Sequence, residues 1–197
     1  MAPPVFRRGS FYFKRNGMLK QGSLLEGKYR IIREIGRGGM SVVYLAVNER
    51  VGKTWALKEV RKEVDGRDGI RQMSLAAEIA VLKKLHHPNL PDIIDIIDHG
   101  DSYIIVMDYI EGKSLKQIIG QFGPQDERRV VAWGKQLCQV LAYLHSQNPP
   151  IIYRDMKPSN IMLRPDGKVK LIDFGTAKEY KIENNADTTA LGTRGYA

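Results

Sequence analysis

Between Tyr29 and Tyr109 apolar residues come in short runs set apart by polar turns. YRIIREIGRG, SVVYLAVN and TWALKEV are rich in β-branched and aromatic side chains and are divided by GRGGM and ERVGK, both turn-forming. The pattern predicts three antiparallel strands. Two more are expected at Ile93 to Ile97 and Tyr103 to Tyr109, joined through DHGD. Between the third and fourth, Leu75, Ile79 and Leu82 recur at helical spacing and predict one helix over Gln72 to Leu85. Five strands and one helix make a first lobe.

Beyond EGKS the period changes. Pro124, Asp126 and Glu127 open a segment in which Val130, Trp133, Leu137, Val140, Leu141 and Leu144 fall at helical intervals, predicting a long, well-buried helix. NIMLRPDGKVKLIDFG then reads as a tight hairpin with PDG at its turn, and the chain closes in a polar stretch without internal repeats.

With 197 residues and a hydrophobic fraction of 43%, the chain can bury one sizeable core or two small lobes. No run approaches the roughly 18 to 20 apolar residues that span a bilayer. Charges interrupt the first residues where a secretory peptide needs an apolar stretch, so a cytoplasmic chain is expected. Cys138 is the single cysteine, which rules out an internal disulfide; its neighbours Trp133, Leu137 and Leu141 predict inert packing. Residues 1 to 30 carry six of the nine net positive charges. Interleaved with Phe6, Phe11, Tyr12 and Phe13, that charge suits nucleic acid or an anionic surface, but the segment has no regular period and is read as a solvated leader over 1–28.

Four features carry chemistry. In IGRGGMSVV, Gly36 and Gly38 let the backbone approach a phosphate, and since another strand follows, the loop is a flap and not the strand-to-helix turn of a dinucleotide site. In TWALKEV, alternation sets Lys58 on one face with Ala56 and Val60, while Glu78 interrupts the stripe of the predicted helix; each is a charge on an apolar face, and pairing them relieves both. In YRDMKPSN, Asp155 is placed to orient a hydroxyl and accept its proton, with Lys157 two residues on to neutralise charge. Asn160 and Asp173 offer oxygen ligands for a hard cation such as Mg²⁺. Asp92, Asp95, Asp98 and Asp101 lack the EF-hand spacing, and the four histidines have no zinc-like grouping.

From Tyr29 to the last residue these motifs resemble the eukaryotic-type (Hanks-type) serine/threonine protein kinases, in the style found in bacteria. The resemblance implies an α+β, two-lobe fold: a first lobe and hinge over 29–109 with a five-stranded antiparallel sheet, and a partial, mainly helical second lobe over 110–197. It implies ATP, Mg²⁺ and transfer of the γ-phosphoryl group to Ser/Thr hydroxyls of protein substrates in signalling, with homodimerisation for autophosphorylation compatible and nucleic acid disfavoured as a partner. The flap residues Ile35, Gly36, Arg37, Gly38, Gly39, Met40 and Ser41 would cover ATP, Ser41 standing at the third glycine of the family pattern. Lys58 would contact phosphate with Glu78 as its helix partner. Met107 would be the gatekeeper, the backbones of Asp108 and Ile110 would face adenine, and Val43, Ala56 and Met162 would sandwich the base. Asp155 becomes the catalytic base, with Lys157 beside the transferring group and Asn160 and Asp173 as metal ligands; Tyr153 replaces the family's histidine. Arg154 implies control by phosphorylation, with Thr188 and Thr189 as acceptors.

The family continues with P-E and further helices where this sequence reaches Ala197. A partial kinase domain is therefore expected, with the apolar face of the Val130 to Leu144 helix uncovered and with weak nucleotide binding and poor phosphorylation. Two other readings accompany the kinase: an ATP-binding pseudokinase or regulatory fragment, and a small-molecule phosphotransferase of the same fold.

Overall fold

A computed structural model describes residues 19–38, 41–62 and 83–173, and the backbone of 178–179. The five expected strands are β2 (Tyr29–Arg37), β3 (Ser41–Asn48), β4 (Lys53–Arg61), β5 (Ile93–His99) and β6 (Ser102–Asp108), and a two-residue strand β1 (Leu24–Leu25) lies beside β2. They form one antiparallel sheet in the order β1-β2-β3-β4-β6-β5. The helix predicted over 72–85 lies outside the described residues except at its end. Lys83 and Lys84 form a turn and Leu85 is not helical; Pro88 disfavours helical backbone at His87.

Period-two alternation divides the sheet into two faces. Val42, Tyr44 and Ala46 of β3, Trp55 and Leu57 of β4, and Ile104 and Val106 of β6 share a core with Leu19, Leu25, Tyr29, Ile31 and Ile97. That core reaches back to Leu19, within the stretch read as a leader. The opposite face carries Val43 paired with Lys58, Lys58 paired with Ile105, and Ala56 paired with Met107. Ala56 and Ile105 are each buried yet belong to neither core.

A second core gathers residues from Leu85 to Leu171. Short strand pieces frame it: β7 (Lys113–Ser114), β9 (Ile161–Leu163) and β10 (Val169–Leu171) form one sheet, while β8 (Ile151–Ile152) pairs with β11 (Lys178–Glu179). Helix α1 (Leu115–Phe122), absent from the sequence-based expectation, supplies Leu115 and Ile118. Its signal is a capping box: the Ser114 hydroxyl accepts from the Gln117 amide, and the Gln117 side chain accepts from the Ser114 amide. Gly112, with φ of 141°, leads into it where a Cβ would collide with the Leu163 carbonyl.

Helix α2 (Glu127–His145) starts where Asp126 accepts from the amides of Arg128 and Arg129, at 3.0 and 3.3 Å. The expectation of a well-buried helix holds for one face only. Trp133, Val140 and Leu144 are buried, whereas Val130 and Val131 are each 48% exposed. Cys138 is exposed, against the expected packing. It lies two residues from Val140, about 200° around the helix, so a buried Val140 turns Cys138 away from the core. Among the described residues no helix is long and apolar enough to cross a membrane.

Candidate active site

The site forms where one face of the six-stranded sheet meets the segment after β10, beside the loop between β8 and β9. Strand β4 carries Lys58 toward Asp173 because alternation places Leu57 and Glu59 on the other side. The Lys58 side chain is 14% exposed, and its Nζ stands 2.5 Å from Oδ1 of Asp173. A residue of the first sheet thus meets one that lies 115 positions later. Glu78, the expected partner of Lys58, lies outside the described residues, as do Gly39, Met40, Thr188 and Thr189.

The loop residues hold one another. Lys157 Nζ is 2.5 Å from Asp155 Oδ2, and Asn160 donates through Nδ2 to the Asp155 carbonyl at 2.9 Å and to its Oδ2 at 3.0 Å. Asn160 is 6% exposed and opens β9 from the end of a short 3₁₀ turn, Pro158–Asn160. Its carbonyl accepts from the Ile172 amide at 2.9 Å, which ties the Asp155 loop to the residue preceding Asp173. The Asn160 Oδ1 atom accepts from the Ser159 hydroxyl at 3.3 Å.

Tyr153 is a second buried neighbour. Burial, followed by the carboxylates of Asp173 and Asp155, pushes its hydroxyl far above the ordinary tyrosine range, opposed by a contact with Asn160. At 7% exposure it is a buried, neutral phenol near both acids.

The remaining predicted residues surround this centre. Val43, Ala56 and Met107 share the cleft face with Lys58, and Met162 lies on β9 opposite Lys170. The Asp108 amide donates to the Asp92 carbonyl at 3.0 Å, so a backbone contact to a ligand there falls to its carbonyl. Ile110 follows β6 and is partly exposed. Ile35, Gly36 and Arg37 end β2, and the Gly38 amide donates to the Ser41 carbonyl at 2.8 Å, closing the flap hairpin.

Sequence reasoning missed Glu59. Only 3% exposed, it is the buried carboxylate of the sheet core, reached by the Tyr44 hydroxyl at 3.2 Å, the Ser102 hydroxyl at 3.1 Å and the Leu19 amide at 3.3 Å. Alternation alone gave the signal, since it places Glu59 with Trp55 and Leu57. The evenly spaced aspartates serve separate contacts: Asp92 with His86, Asp95 with Lys28 and Asp98 with Lys62.

Residues 29–197 match the protein kinase domain family, and the chain belongs to it. Serine/threonine-protein kinase cds1 of Schizosaccharomyces pombe is 36% identical over 171 residues, covering 85% of this chain and 37% of the relative. Serine/threonine-protein kinase PrkC of Bacillus subtilis is 36% identical over 157 residues, 79% of this chain and 24% of the relative. A probable serine/threonine-protein kinase, PknB of Lactococcus lactis, is 34% identical over 175 residues, 88% of this chain and 27% of the relative. The chain thus spans about a quarter to two-fifths of the length of these relatives.

Proposed function

We propose that this chain is the catalytic part of an ATP- and Mg²⁺-dependent kinase that transfers the γ-phosphoryl group to Ser/Thr hydroxyls of proteins, in the cytoplasm. The observation that carries the reading is the pairing of Lys58 with Asp173 and of Asn160 with Asp155, two pairs tied together by the Ile172 amide on the Asn160 carbonyl.

The donor set fits the cation. Asp173 and the side-chain oxygen of Asn160 are hard oxygen ligands, and among the described residues no group of three or more His, Cys, Asp or Glu could hold a metal by itself. Two oxygen donors beside an open cleft suit Mg²⁺, which keeps waters and shares phosphate oxygens. When bound, the metal-nucleotide complex supplies the phosphoryl group and the charge that offsets its transfer. Lys58, held against Asp173 in the same cleft, would bind phosphate oxygens. Asp155 would orient the incoming hydroxyl and take its proton, while Lys157, already against Asp155, offsets charge beside it. Asn160 fixes the Asp155 carboxylate by its amide protons.

The flap gives independent support. Among the described residues, a Cβ on Gly36 would meet Val43 at 3.8 Å and one on Gly38 would meet Ser41 atoms at 3.4 and 3.8 Å. The described neighbours therefore make little demand for glycine at either position. Close approach of a phosphate accounts for both.

Radiolabelled ATP with a generic basic protein tests the reading. Wild-type transfer that falls about 10²- to 10⁴-fold in Asp155→Ala supports it. Equal residual transfer by both proteins favours a non-catalytic nucleotide binder, and transfer to sugar or aminoglycoside acceptors alone favours a small-molecule phosphotransferase.

A further inference from the structure

Away from the Lys58–Asp173 cleft, the second lobe has a separate recess of about 630 Å³. Its walls are α1, the first turn of α2, the β7 entry at Gly112 and the turn that follows β9. Its apolar lining is Ile118, Leu163, Pro165, Pro124 and Phe122, the last 64% exposed. An exposed phenylalanine beside an apolar recess is a surface suited to taking up a partner's side chain.

The charge on this recess is mainly positive. Lys113, Arg129 and Arg164 line it against a single acid, Asp126. The Asp126 carboxylate is engaged by the α2 amides of Arg128 and Arg129. Lys113 donates to the neutral Gln121 side chain at 2.7 Å and lies over the Phe122 ring, and the Arg129 guanidinium lies over the Trp133 ring at 5.3 Å. Among the described residues neither is ion-paired with a carboxylate. Arg164 has only an exposed contact with Asp166, at 3.5 Å. Three cations around an apolar recess complement a segment with acidic residues on either side of a large apolar one.

We propose that this recess docks an acidic, apolar-anchored peptide segment of a partner protein, separately from the phosphate-transfer cleft. The apolar side chain enters between Phe122, Leu163 and Pro165, and flanking carboxylates pair with Arg129, Arg164 and Lys113. Gly112 lets the floor form, because any side chain there would displace the Leu163 carbonyl that borders it.

The test uses the whole chain and a fluorescein-labelled peptide, Glu-Glu-Leu-Phe-Glu-Glu, read by fluorescence anisotropy. Saturable binding is expected to weaken about tenfold in the double variant Arg129→Glu, Arg164→Glu and to fall as salt rises from 0.05 to about 0.5 M. Phe122→Ala should weaken the peptide while leaving its salt dependence in place. Circular dichroism melting establishes that each variant is folded; if the charge-reversal pair does not fold, Arg129→Gln with Arg164→Gln replaces it, with a smaller loss expected. Equal binding of hexaglutamate shows a mere charge effect and overturns the proposal, as does equal binding of a single-stranded oligonucleotide with the same sensitivity to the variants. Unchanged peptide binding in both the charge and Phe122 variants also overturns it. None of these readouts involves phosphate transfer, so the docking surface stands or falls separately from the kinase reading.

Discussion

The two faces of β4 place charges of opposite sign on neighbouring residues, with opposite consequences. Glu59 points into the sheet core, is 3% exposed and is met by two hydroxyls and a backbone amide. Lys58 points into the cleft, is 14% exposed and meets Asp173 from the second lobe. A hydrogen-bonded carboxylate surrounded by neutral donors organises the core, because removing it strands each donor in an apolar setting. Among the described residues the Lys58 ammonium is held by one partially exposed carboxylate, that of Asp173, and this is the arrangement expected of a cation that a ligand can engage. Burial by itself would rank Glu59 as the more functional of the two. The partners differ: Glu59 is joined to the first sheet and the segment ahead of it, Lys58 to Asp173 of the second lobe, whose neighbour Ile172 donates to the Asn160 carbonyl.

Substitutions on each face should separate activity from stability. Lys58→Met is expected to reduce phosphate transfer by about 10²- to 10³-fold with little change in the urea midpoint, as measured by radiolabelled ATP and by equilibrium unfolding of the same preparation. If Lys58→Met mainly unfolds the chain, the cleft face is structural and the contrast fails. Glu59→Ala should show the reverse, losing about 2 to 4 kcal/mol of stability as its three donors lose their acceptor. A Glu59→Ala protein that melts like wild type would leave the core carboxylate without the role assigned to it.

Tyr44→Phe sharpens the same side, since it deletes one donor to Glu59 and should cost about 1 to 2 kcal/mol at neutral pH. Burial, then the charge of Glu59, pushes the Tyr44 hydroxyl up to about 12. Its folded pKa lies above its unfolded value near 10, so this contribution is complete below pH 10 and is lost as pH rises toward 12. Unfolding measured from pH 9 to 12 should decline less steeply in Tyr44→Phe than in wild type; parallel slopes would remove the tyrosine from the account.

The smallest effect lies beside the second core. Burial, then the Lys170 charge, holds the His87 imidazole below its ordinary range, and its Nδ1 accepts from the Asn89 amide at 3.1 Å. A depressed folded pKa gives stability that is present above the ordinary value near 6.5 and lost as pH falls. His87→Asn should flatten that acid decline modestly in thermal melts taken from pH 7.5 to 5. A decline of the same slope in the variant would assign it to other groups.

Much of the fold was legible in local patterning. Alternation in SVVYLAVN gives β3 and its buried Val42, Tyr44 and Ala46, and the turn at PDG gives the β9–β10 hairpin. Helix α1 escaped because it is short and follows a glycine, although its S-x-x-Q capping box was present in the sequence. Strands β7, β8 and β11 are two residues each, too short for any period to register, and they exist only because partners from distant positions pair with them. Cys138 was misplaced for a related reason: apolar neighbours along a helix do not say which face turns inward.

The sequence by itself determined the candidate catalytic set, since the spacing of Asp155, Lys157, Asn160 and Asp173 and the alternation around Lys58 require no knowledge of distant contacts. Only the tertiary structure decided which charge meets which: Lys58 with Asp173, Asn160 with Asp155, and Glu59 with the hydroxyls of Tyr44 and Ser102. The physical reason is range. Periodicity reports the face on which a residue lies, whereas the energy of a buried charge depends on what crosses the gap from elsewhere in the chain.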